Sequence, residues 1–146
     1  TAMPDLDLTR HYAAPPEDVF RAVTDPDMLA QWWGPEGVRV ESGDLDFTRT
    51  GAWGSVMING EGGRYKVTGQ VTHVDPPRSV GFTWAWHDDE DRRGAESHVT
   101  FTVEEDGAGG TTFRLQHMDL PDAEAAENHN RGWTSSLNKL DATLAP

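Results

Sequence analysis

The feature of this sequence that most constrains its fold is a change in the spacing of its large apolar residues. Between residues 38 and 117 they alternate with polar or small residues, and one such run contains Val80, Phe82, Trp84 and Trp86. After Pro121 the spacing becomes helical, and one stripe contains Trp133, Leu137, Leu140 and Leu144. Alternation is typical of antiparallel strands with one solvated face, whereas the later spacing is typical of a long helix. The chain therefore predicts a sheet followed by a C-terminal helix that packs against its inner face.

The segment before the sheet predicts one strand and two short helices. The residues that indicate an opening strand are Leu6, Leu8 and Tyr12. Pro15-Pro16 suits the start of a first helix, Asp25-Pro26 supplies an N-cap and a first residue for a second, and Gly34-Pro35 suits its end. About six further strands precede the long helix. We therefore predict an α+β helix-grip fold, a curved antiparallel sheet wrapped around the long helix, as a single domain over residues 1–146.

The charge and the cysteine content exclude several classes of function. The chain has 25 acidic and 12 basic residues, a formal net charge of −13, which opposes binding to nucleic acid and to anionic membrane surfaces. No apolar run reaches the roughly 20 residues that a membrane span needs. Because the chain has no cysteine, disulfides and thiolate metal sites are excluded, and a cytoplasmic location is the natural expectation. The composition leaves both a monomer and a homodimer open.

Several short motifs, in order along most of the chain, carry a resemblance to a known family. The most specific is the run from Phe20 to Gly37, FRAVTDPDMLAQWWGPEG. The supporting residues are Gly51-Ala52-Trp53 with Met57, Tyr65 and Gly69, Val74-Asp75-Pro76-Pro77 with Val80, and His129-Asn130-Arg131-Gly132-Trp133 with Leu137 and Leu140. In these residues the chain resembles the Hsp90-ATPase-activator-homologue-like family of the START and pollen-allergen-like (SRPBCC) superfamily. The resemblance implies a helix-grip fold with an internal cavity. It implies much less about activity, because the bacterial members that it resembles mostly lack an assigned biochemical role.

Side chains in phase with the inner face of the predicted sheet and helix form a candidate ligand-binding site. They are Trp32, Trp33, Trp53, Met57, Tyr65, Trp84, Trp86, Phe113, His117, Trp133, Ser136 and Leu137. As a pocket they predict a soft, aromatic-rich wall around an apolar or aromatic ligand, and as a plain core they fill the same space. Because a strongly bent sheet gripped by one helix leaves a gap, we predict the pocket. Trp32 and Trp33 point about 100° apart on a helix. We expect both to pack that helix on the sheet, and the alternative is that one of them lines the mouth of the cavity.

Two histidines are candidate catalytic residues. His117 is in phase with Phe113, so we expect it to point inward, and His129 lies four residues before Trp133, on the same helical face. Either residue has the chemistry of a polar anchor or a proton-transfer group, and a buried structural histidine is the alternative interpretation. His98 has the opposite phase in its strand and is expected to face solvent.

The function that these features predict is binding of a small apolar or aromatic molecule in an internal hydrophobic cavity, with no cofactor. The sequence has no phosphate-binding glycine loop and no nucleophile–base constellation, and we expect no metal site, since the acidic loop at His87-Asp88-Asp89 is typical of a solvated segment. One alternative is a cofactor-free cyclase or dehydratase that uses histidine or tyrosine in the pocket. The other is a chaperone-interacting protein, like the activators after which the family is named.

Gly132 lies within the predicted long helix, where a glycine costs about 1 kcal/mol relative to alanine. We expect this residue to permit a close approach between the helix backbone and the sheet beside Trp133, because glycine has no Cβ. The alternative is a break between two helical pieces, with a positive φ at Gly132.

Overall fold

The computed structural model describes residues 6–34, 36–40 and 45–144. The elements are β1 (Leu6–Tyr12), α1 (Pro16–Ala22), α2 (Pro26–Trp32), β2 (Arg39–Val40), β3 (Gly51–Ile58), β4 (Arg64–Asp75), β5 (Ser79–Trp86), β6 (Ser97–Glu105), β7 (Thr111–Met118) and α3 (Ala123–Thr143). This order confirms the predicted strand, two short helices, run of strands and long helix. In the predicted end of α2, Pro35 lies outside the described residues.

The seven strands form one antiparallel sheet in the order β1-β7-β6-β5-β4-β3-β2. The first strand of the chain pairs with the last, so that Leu6 lies opposite His117 and Tyr12 lies opposite Thr111. The sheet curls into a half-barrel, and α3 packs in its concave side, where the ring of Trp133 contacts rings of two central strands. The predicted helix-grip fold is confirmed.

Helix α2 begins where its sequence indicates. Asp25 Oδ1 accepts hydrogen bonds from the backbone N–H groups of Asp27 at 3.0 Å and Met28 at 3.2 Å, which makes Asp25 the N-cap. At the other end Trp33 leaves the helix in an extended conformation, and Gly34 follows with a φ of +82°. A positive φ just after a helix is the role in which glycine is preferred, because the residue has no Cβ to clash.

Aromatic rings fill most of the space between the sheet and the helices. Phe47, in the segment before β3, stacks on Phe82 with ring centroids 4.2 Å apart. Trp32 and Trp33 are both buried, and their rings contact Phe101 of β6 and Trp84 of β5 respectively. The expectation that both tryptophans pack α2 on the sheet is confirmed. Nothing in the alternating pattern indicates Phe47, because this residue lies outside any regular element.

Strand β5 differs from the expectation of one solvated face. Its inward residues are buried, but so are Gly81, Thr83 and Ala85 on the opposite face. Short side chains at these positions lie beneath longer neighbours: a Cβ added at Gly81 would be 2.6 Å from Cε1 of His73. In addition, Thr83 Oγ1 accepts a hydrogen bond from the backbone N–H of Gln70 at 2.8 Å. The central strand is therefore covered on both faces.

Helix α3 is continuous, with Asp122 as its N-cap. Its predicted stripe faces the sheet, since Trp133, Leu137 and Leu140 are buried and Leu144 is half-buried. Gly132 is helical and has no positive φ, so the interpretation of this glycine as a break between two helices is wrong. Within the described ranges, no helix is both long enough and apolar enough to cross a membrane.

Candidate functional site

A pocket of about 420 Å³ lies between the C-terminal end of α2, strands β3 and β5, and the N-terminal two-thirds of α3. Its wall consists of Trp33, Gly34, Met57, Trp84, Trp86, Ala125, Asn128, His129, Gly132, Trp133 and Ser136. Four of these residues are tryptophans, and none is an acid, a lysine or an arginine. Asn128 is exposed, so the pocket opens to solvent near the start of α3.

Trp33 is placed in the wall by contacts at both ends of the residue. Its backbone carbonyl accepts a hydrogen bond from Nζ of Lys139 on α3 at 3.3 Å. Its ring lies edge-on to the ring of Trp133, with centroids 5.7 Å apart, and at the same centroid distance from Trp84. Burial lowers the pKa of Lys139, and the nearby charge of Glu36 acts in the opposite direction. The long helix therefore holds both the backbone and the side chain of this tryptophan.

Gly34 leaves the space that the pocket needs beside Trp33. A Cβ at this position would lie 3.1 Å from Sδ of Met57 and 3.1 Å from Cγ1 of Val38, which is closer than ordinary packing allows. The positive φ of Gly34 is a second reason for glycine at this position. A larger residue here would displace Met57 or Val38.

Trp84 connects the other rings of the wall. Its ring centroid is 5.3 Å from that of Trp86, which follows on β5, and 5.3 Å from that of Trp133 on α3. Edge-on and tilted contacts of this kind are preferred between aromatic rings. The three indoles, together with Trp33, make one continuous aromatic surface that sheet and helices share.

Trp86 and His129 form a hydrogen-bonded pair in the wall. Indole Nε1–H of Trp86 donates to Nε2 of His129 at 2.9 Å. Because an indole nitrogen only donates, Nε2 carries no proton, and the proton of the neutral ring is on Nδ1, which donates to the carbonyl of Ala125 at 2.8 Å. Burial lowers the pKa of His129, and the bond to Ala125 partly opposes this effect. His129 is therefore a neutral imidazole in one tautomer.

His117 is fixed in the same manner behind the wall. Indole Nε1–H of Trp133 donates to Nδ1 of His117 at 3.0 Å, so Nε2–H of the histidine donates to Oγ of Ser97 at 2.7 Å. The hydroxyl of Ser97 in turn donates to the carbonyl of Trp84 at 3.3 Å. Burial lowers the pKa of His117 to about 3, and the positive charges that His129 and His98 would carry act in the same direction. This histidine is neutral as well.

These bonds limit what the two histidines do chemically. The rings of His117 and His129 are 4.8 Å apart, but each ring nitrogen of the pair is already bonded to a protein group. A general base needs a free lone pair within reach of substrate. Either histidine would have to release a tryptophan before it could accept a proton, so the arrangement positions the aromatic wall and provides no free acid–base pair.

The structure brings together seven of the residues that the sequence indicates as a site. They are Trp33, Met57, Trp84, Trp86, His129, Trp133 and Ser136. Five others lie in the packed layer around the pocket and do not line it: Trp32, Trp53, Phe113, His117 and Leu137. As expected, His117 points inward and is fully buried, and His98 faces solvent.

The prediction that Tyr65 belongs to the inner wall is wrong. Tyr65 lies opposite Met57 in the pairing of β3 with β4, so its phase along the strand is the predicted one. However, it stands next to the hairpin at the start of β4, and 49% of the residue is exposed. Its hydroxyl accepts a hydrogen bond from Nδ2 of Asn59 at 3.3 Å, at the surface. Alternation predicts the face of the sheet on which a side chain lies. It does not predict whether that face is still buried at the end of the strand.

Sequence reasoning missed wall residues with small or ordinary polar side chains. They are Gly34, Ala125 and Asn128. Gly132 also lines the pocket, but the sequence indicated it as a point of close approach between the helix and the sheet and not as a wall residue. Ala125 and Asn128 precede His129 and Gly132 by four residues each, which is the spacing of one helical face. Extending the helical face by one turn from His129 would have identified Ala125, and extending it from Gly132 would have identified Asn128.

Among residues 6–34, 36–40 and 45–144, no three histidine or carboxylate side chains come together as a group able to hold a metal ion. The acidic loop after β5 instead forms its own contacts. Asp91 accepts from Nζ of Lys66 at 3.1 Å and lies 2.9 Å from Nδ1 of His87. Asp88 is paired with Arg92 at 3.0 Å.

Comparison with known proteins decides the family of this chain. Residues 13–145 match the family model described as activator of Hsp90 ATPase homolog 1-like protein. The chain belongs to this family. Its solved relatives share the whole fold: the crystal structure of an AHSA1 protein from Silicibacter pomeroyi is 60% identical, with a TM-score of 0.92 and coverage of 97% of both chains.

More distant members of the same fold are also similar over almost their full length. A crystal structure of a protein from Chromobacterium violaceum is 28% identical, with a TM-score of 0.86 and coverage of 98% of both chains. One from Mycobacterium smegmatis is 26% identical, with a TM-score of 0.80, and the match covers 98% of this chain and 91% of that one. No curated protein matches the sequence. The matches therefore establish family and fold without naming a ligand.

Proposed function

We propose that this protein binds one small apolar or aromatic molecule in the pocket between α2, β5 and α3. The observation that carries the proposal is the wall itself, in which four tryptophans and Met57 surround about 420 Å³ of space. Pockets with predominantly apolar and aromatic walls and a few polar groups are the usual sites for small ligands. The helix-grip fold of the family, known for ligand binding, supports the same function.

The preorganisation of the wall is a further argument. Trp86 and Trp133 are each held by a hydrogen bond to a histidine, at 2.9 and 3.0 Å, and both histidines are tied to other groups. Rings that are already fixed lose little conformational entropy when a ligand binds. A wall that is already rigid therefore supports the binding of a ligand.

A titration with N-phenyl-1-naphthylamine, an uncharged probe whose emission rises in apolar surroundings, tests the proposal. We expect saturable binding with a stoichiometry near one and a change in tryptophan fluorescence. The variant Gly132→Leu places a bulky side chain in the wall and should abolish binding, whereas Asn130→Leu, on the exposed face of the same helix, should leave it unchanged. Absence of binding to the unaltered protein, or equal binding by both variants, would refute the proposal.

Protein purified without detergent offers a second, independent test. Native mass spectrometry should show a fraction of the protein with the added mass of one small molecule, and this added mass should be missing from Gly132→Leu.

The pocket supplies no observation about a chaperone partner, so the proposal is restricted to small-molecule binding. A measurement of Hsp90 ATP turnover with and without this protein addresses the activity in the family's name.

A further inference from the structure

The six tryptophans differ in whether the indole N–H has an acceptor. Four donate at 2.8–3.0 Å, namely Trp32 to the carbonyl of Ala22, Trp53 to that of Thr83, Trp86 to His129 and Trp133 to His117. The N–H groups of Trp33 and Trp84 are buried and have no hydrogen-bond partner in the part of the chain that the structure describes. A buried donor without an acceptor is unfavourable, so such groups are rare in native proteins and call for an explanation.

Both of these tryptophans line the pocket, and their ring centroids are 5.7 Å apart. No other polar side chain of the wall accepts a hydrogen bond from either indole N–H group. Both ring nitrogens of His129 are engaged, and Oδ1 of Asn128 accepts from Arg131, which leaves the amide nitrogen of Asn128 as a further donor. The hydroxyl of Ser136 donates to the carbonyl of Gly132 at 3.0 Å and keeps lone pairs, but it accepts from neither indole. The wall thus contains two indole N–H donors without an acceptor, which is the complement of a ligand that carries oxygen.

The charges around the pocket bear on the ligand as well. None of the wall residues carries a charge when His129 is neutral, and the whole chain has a formal net charge of −13. Burying a carboxylate without a cation is strongly unfavourable, and the acidic protein also repels anions before contact. A ligand with many N–H donors of its own would find no acceptors at Trp33 and Trp84. An uncharged molecule that only accepts hydrogen bonds avoids both penalties.

We infer that the ligand of this pocket is an uncharged aromatic molecule that carries a carbonyl oxygen, and that Trp33 and Trp84 donate hydrogen bonds to that oxygen. The inference rests on the proposed function. Both indole nitrogens are covered in this structure, so the inference requires the two rings to rotate until their N–H groups face the pocket. Met57, which touches the turn at Gly34, is unbranched and gives way more easily than a branched side chain.

Two probes of nearly equal shape measure the effect of the carbonyl group by itself. Fluorenone has a carbonyl oxygen, and fluorene has the same ring system without it. In nitrogen-15 correlation spectra, the indole N–H signals of Trp33 and Trp84, assigned through nuclear Overhauser contacts in the unaltered protein, should move downfield with fluorenone and should not with fluorene. The N–H signal of Trp53, outside the wall and bonded to Thr83, serves as an internal reference in both titrations.

Affinities of the variants provide a second readout. Trp33→Phe and Trp84→Phe should each weaken fluorenone binding about five- to tenfold more than they weaken fluorene binding, because both probes lose the same ring contact and only fluorenone loses a hydrogen bond. The anion 9-fluorenecarboxylate should bind at least about tenfold more weakly than fluorenone. The spectra of the unaltered protein decide the question even where a variant fails to fold.

The outcomes distinguish this inference from the function on which it rests. If fluorene and fluorenone both bind and shift the two indole signals alike, the pocket binds ligands but does not recognise a carbonyl oxygen. If the carboxylate binds as tightly as fluorenone, the exclusion of charge is wrong. If N-phenyl-1-naphthylamine binds and neither neutral fluorene probe does, the inference fails and the proposed function stands; if none of the three probes binds, both fail.

Discussion

At the scale of single residues, Gly69 shows how one missing side chain supports the aromatic layer. Gly69 lies in β4, between Trp53 of β3 and Thr83 of β5, whose indole N–H and carbonyl are joined by a hydrogen bond of 2.9 Å. A Cβ at Gly69 would lie 2.0 Å from that carbonyl oxygen and 2.7 Å from the indole nitrogen. We expect Gly69→Ala to lower the free energy of unfolding by about 2–4 kcal/mol, through overpacking and loss of a buried hydrogen bond.

Urea unfolding of Gly69→Ala measures this effect, and Gly54→Ala is its matched control. Gly54 lies in the neighbouring strand, where a Cβ would be 3.4 Å from Cγ2 of Thr68, an ordinary contact. The control should leave stability unchanged or raise it by up to about 1 kcal/mol, because alanine restricts the unfolded chain. Equal effects of the two substitutions would show that crowding at Gly69 is not responsible.

His117 makes the stability of the protein depend on pH. Burial lowers the pKa of His117 to about 3 in the folded state, against 6.5 for the ordinary side chain, so the unfolded chain binds a proton that the folded chain does not. The stability that depends on a neutral, buried His117 is fully present above pH 6.5 and is lost as the pH falls from 6.5 toward 3. In this window the loss lowers the free energy of unfolding by about 1.4 kcal/mol for each pH unit.

The variant His117→Asn isolates this contribution from that of other titrating groups. Asparagine keeps an oxygen that accepts from Trp133 but has no group that binds a proton at mild acidity. We expect the variant to be less stable than the unaltered protein at pH 7.5 and to lose less stability on going to pH 5. Urea denaturation curves at four or five pH values give the slopes, and parallel slopes would contradict a neutral, buried His117.

At the scale of elements, the junction between α2 and α3 fixes one side of the pocket. Nζ of Lys139 on α3 donates to the carbonyl of Trp33 at the end of α2, where a cation also complements the helix dipole. We expect Lys139→Met, which keeps an apolar stem, to lower the free energy of unfolding by about 1 kcal/mol. Lys66→Met removes an exposed ion pair with Asp91 and should cost less than about 0.5 kcal/mol. Thermal and urea unfolding of both variants test the difference, and a neutral Lys139→Met would refute it.

The elements that the sequence predicts well are those with a long regular pattern. The stripe from Trp133 to Leu140 and the alternation from Val80 to Trp86 each contain several repeats, so helix and strand are distinguished without tertiary information. Phe47 and Tyr65 show the limit. Phe47 is buried by neighbours that are distant in sequence, and Tyr65 is exposed where its strand begins beside a hairpin. The two Trp–His bonds were not predictable, because they join separate elements through side-chain rotamers.

At the scale of the whole molecule, the family-wide fold and the particular pocket have different origins. The antiparallel order with β1 beside β7, and α3 across the concave side, create the enclosure. In this chain its wall has four tryptophans, two of them held by neutral histidines and two with free N–H groups among the described residues. Under the proposed function, the fold sets the position of the pocket, and these side chains set which ligand it accepts.

The net charge makes a prediction for the molecule as a whole. A formal charge of −13 on 146 residues produces repulsion that is stronger in the compact state than in the expanded unfolded chain. Salt screens this repulsion. Salt also weakens exposed ion pairs, such as that of Asp88 with Arg92, but these pairs contribute little to the stability of the folded state. We expect the melting temperature at pH 7.5 to rise by about 2–4 °C between 10 and 300 mM sodium chloride, which corresponds to about 1 kcal/mol for a domain of this size. Near pH 4.6, the isoelectric point of the sequence, no net repulsion remains, and the same addition of salt should leave the melting temperature unchanged or lower it. An equal rise at both pH values would assign the effect to general salting-out rather than to charge.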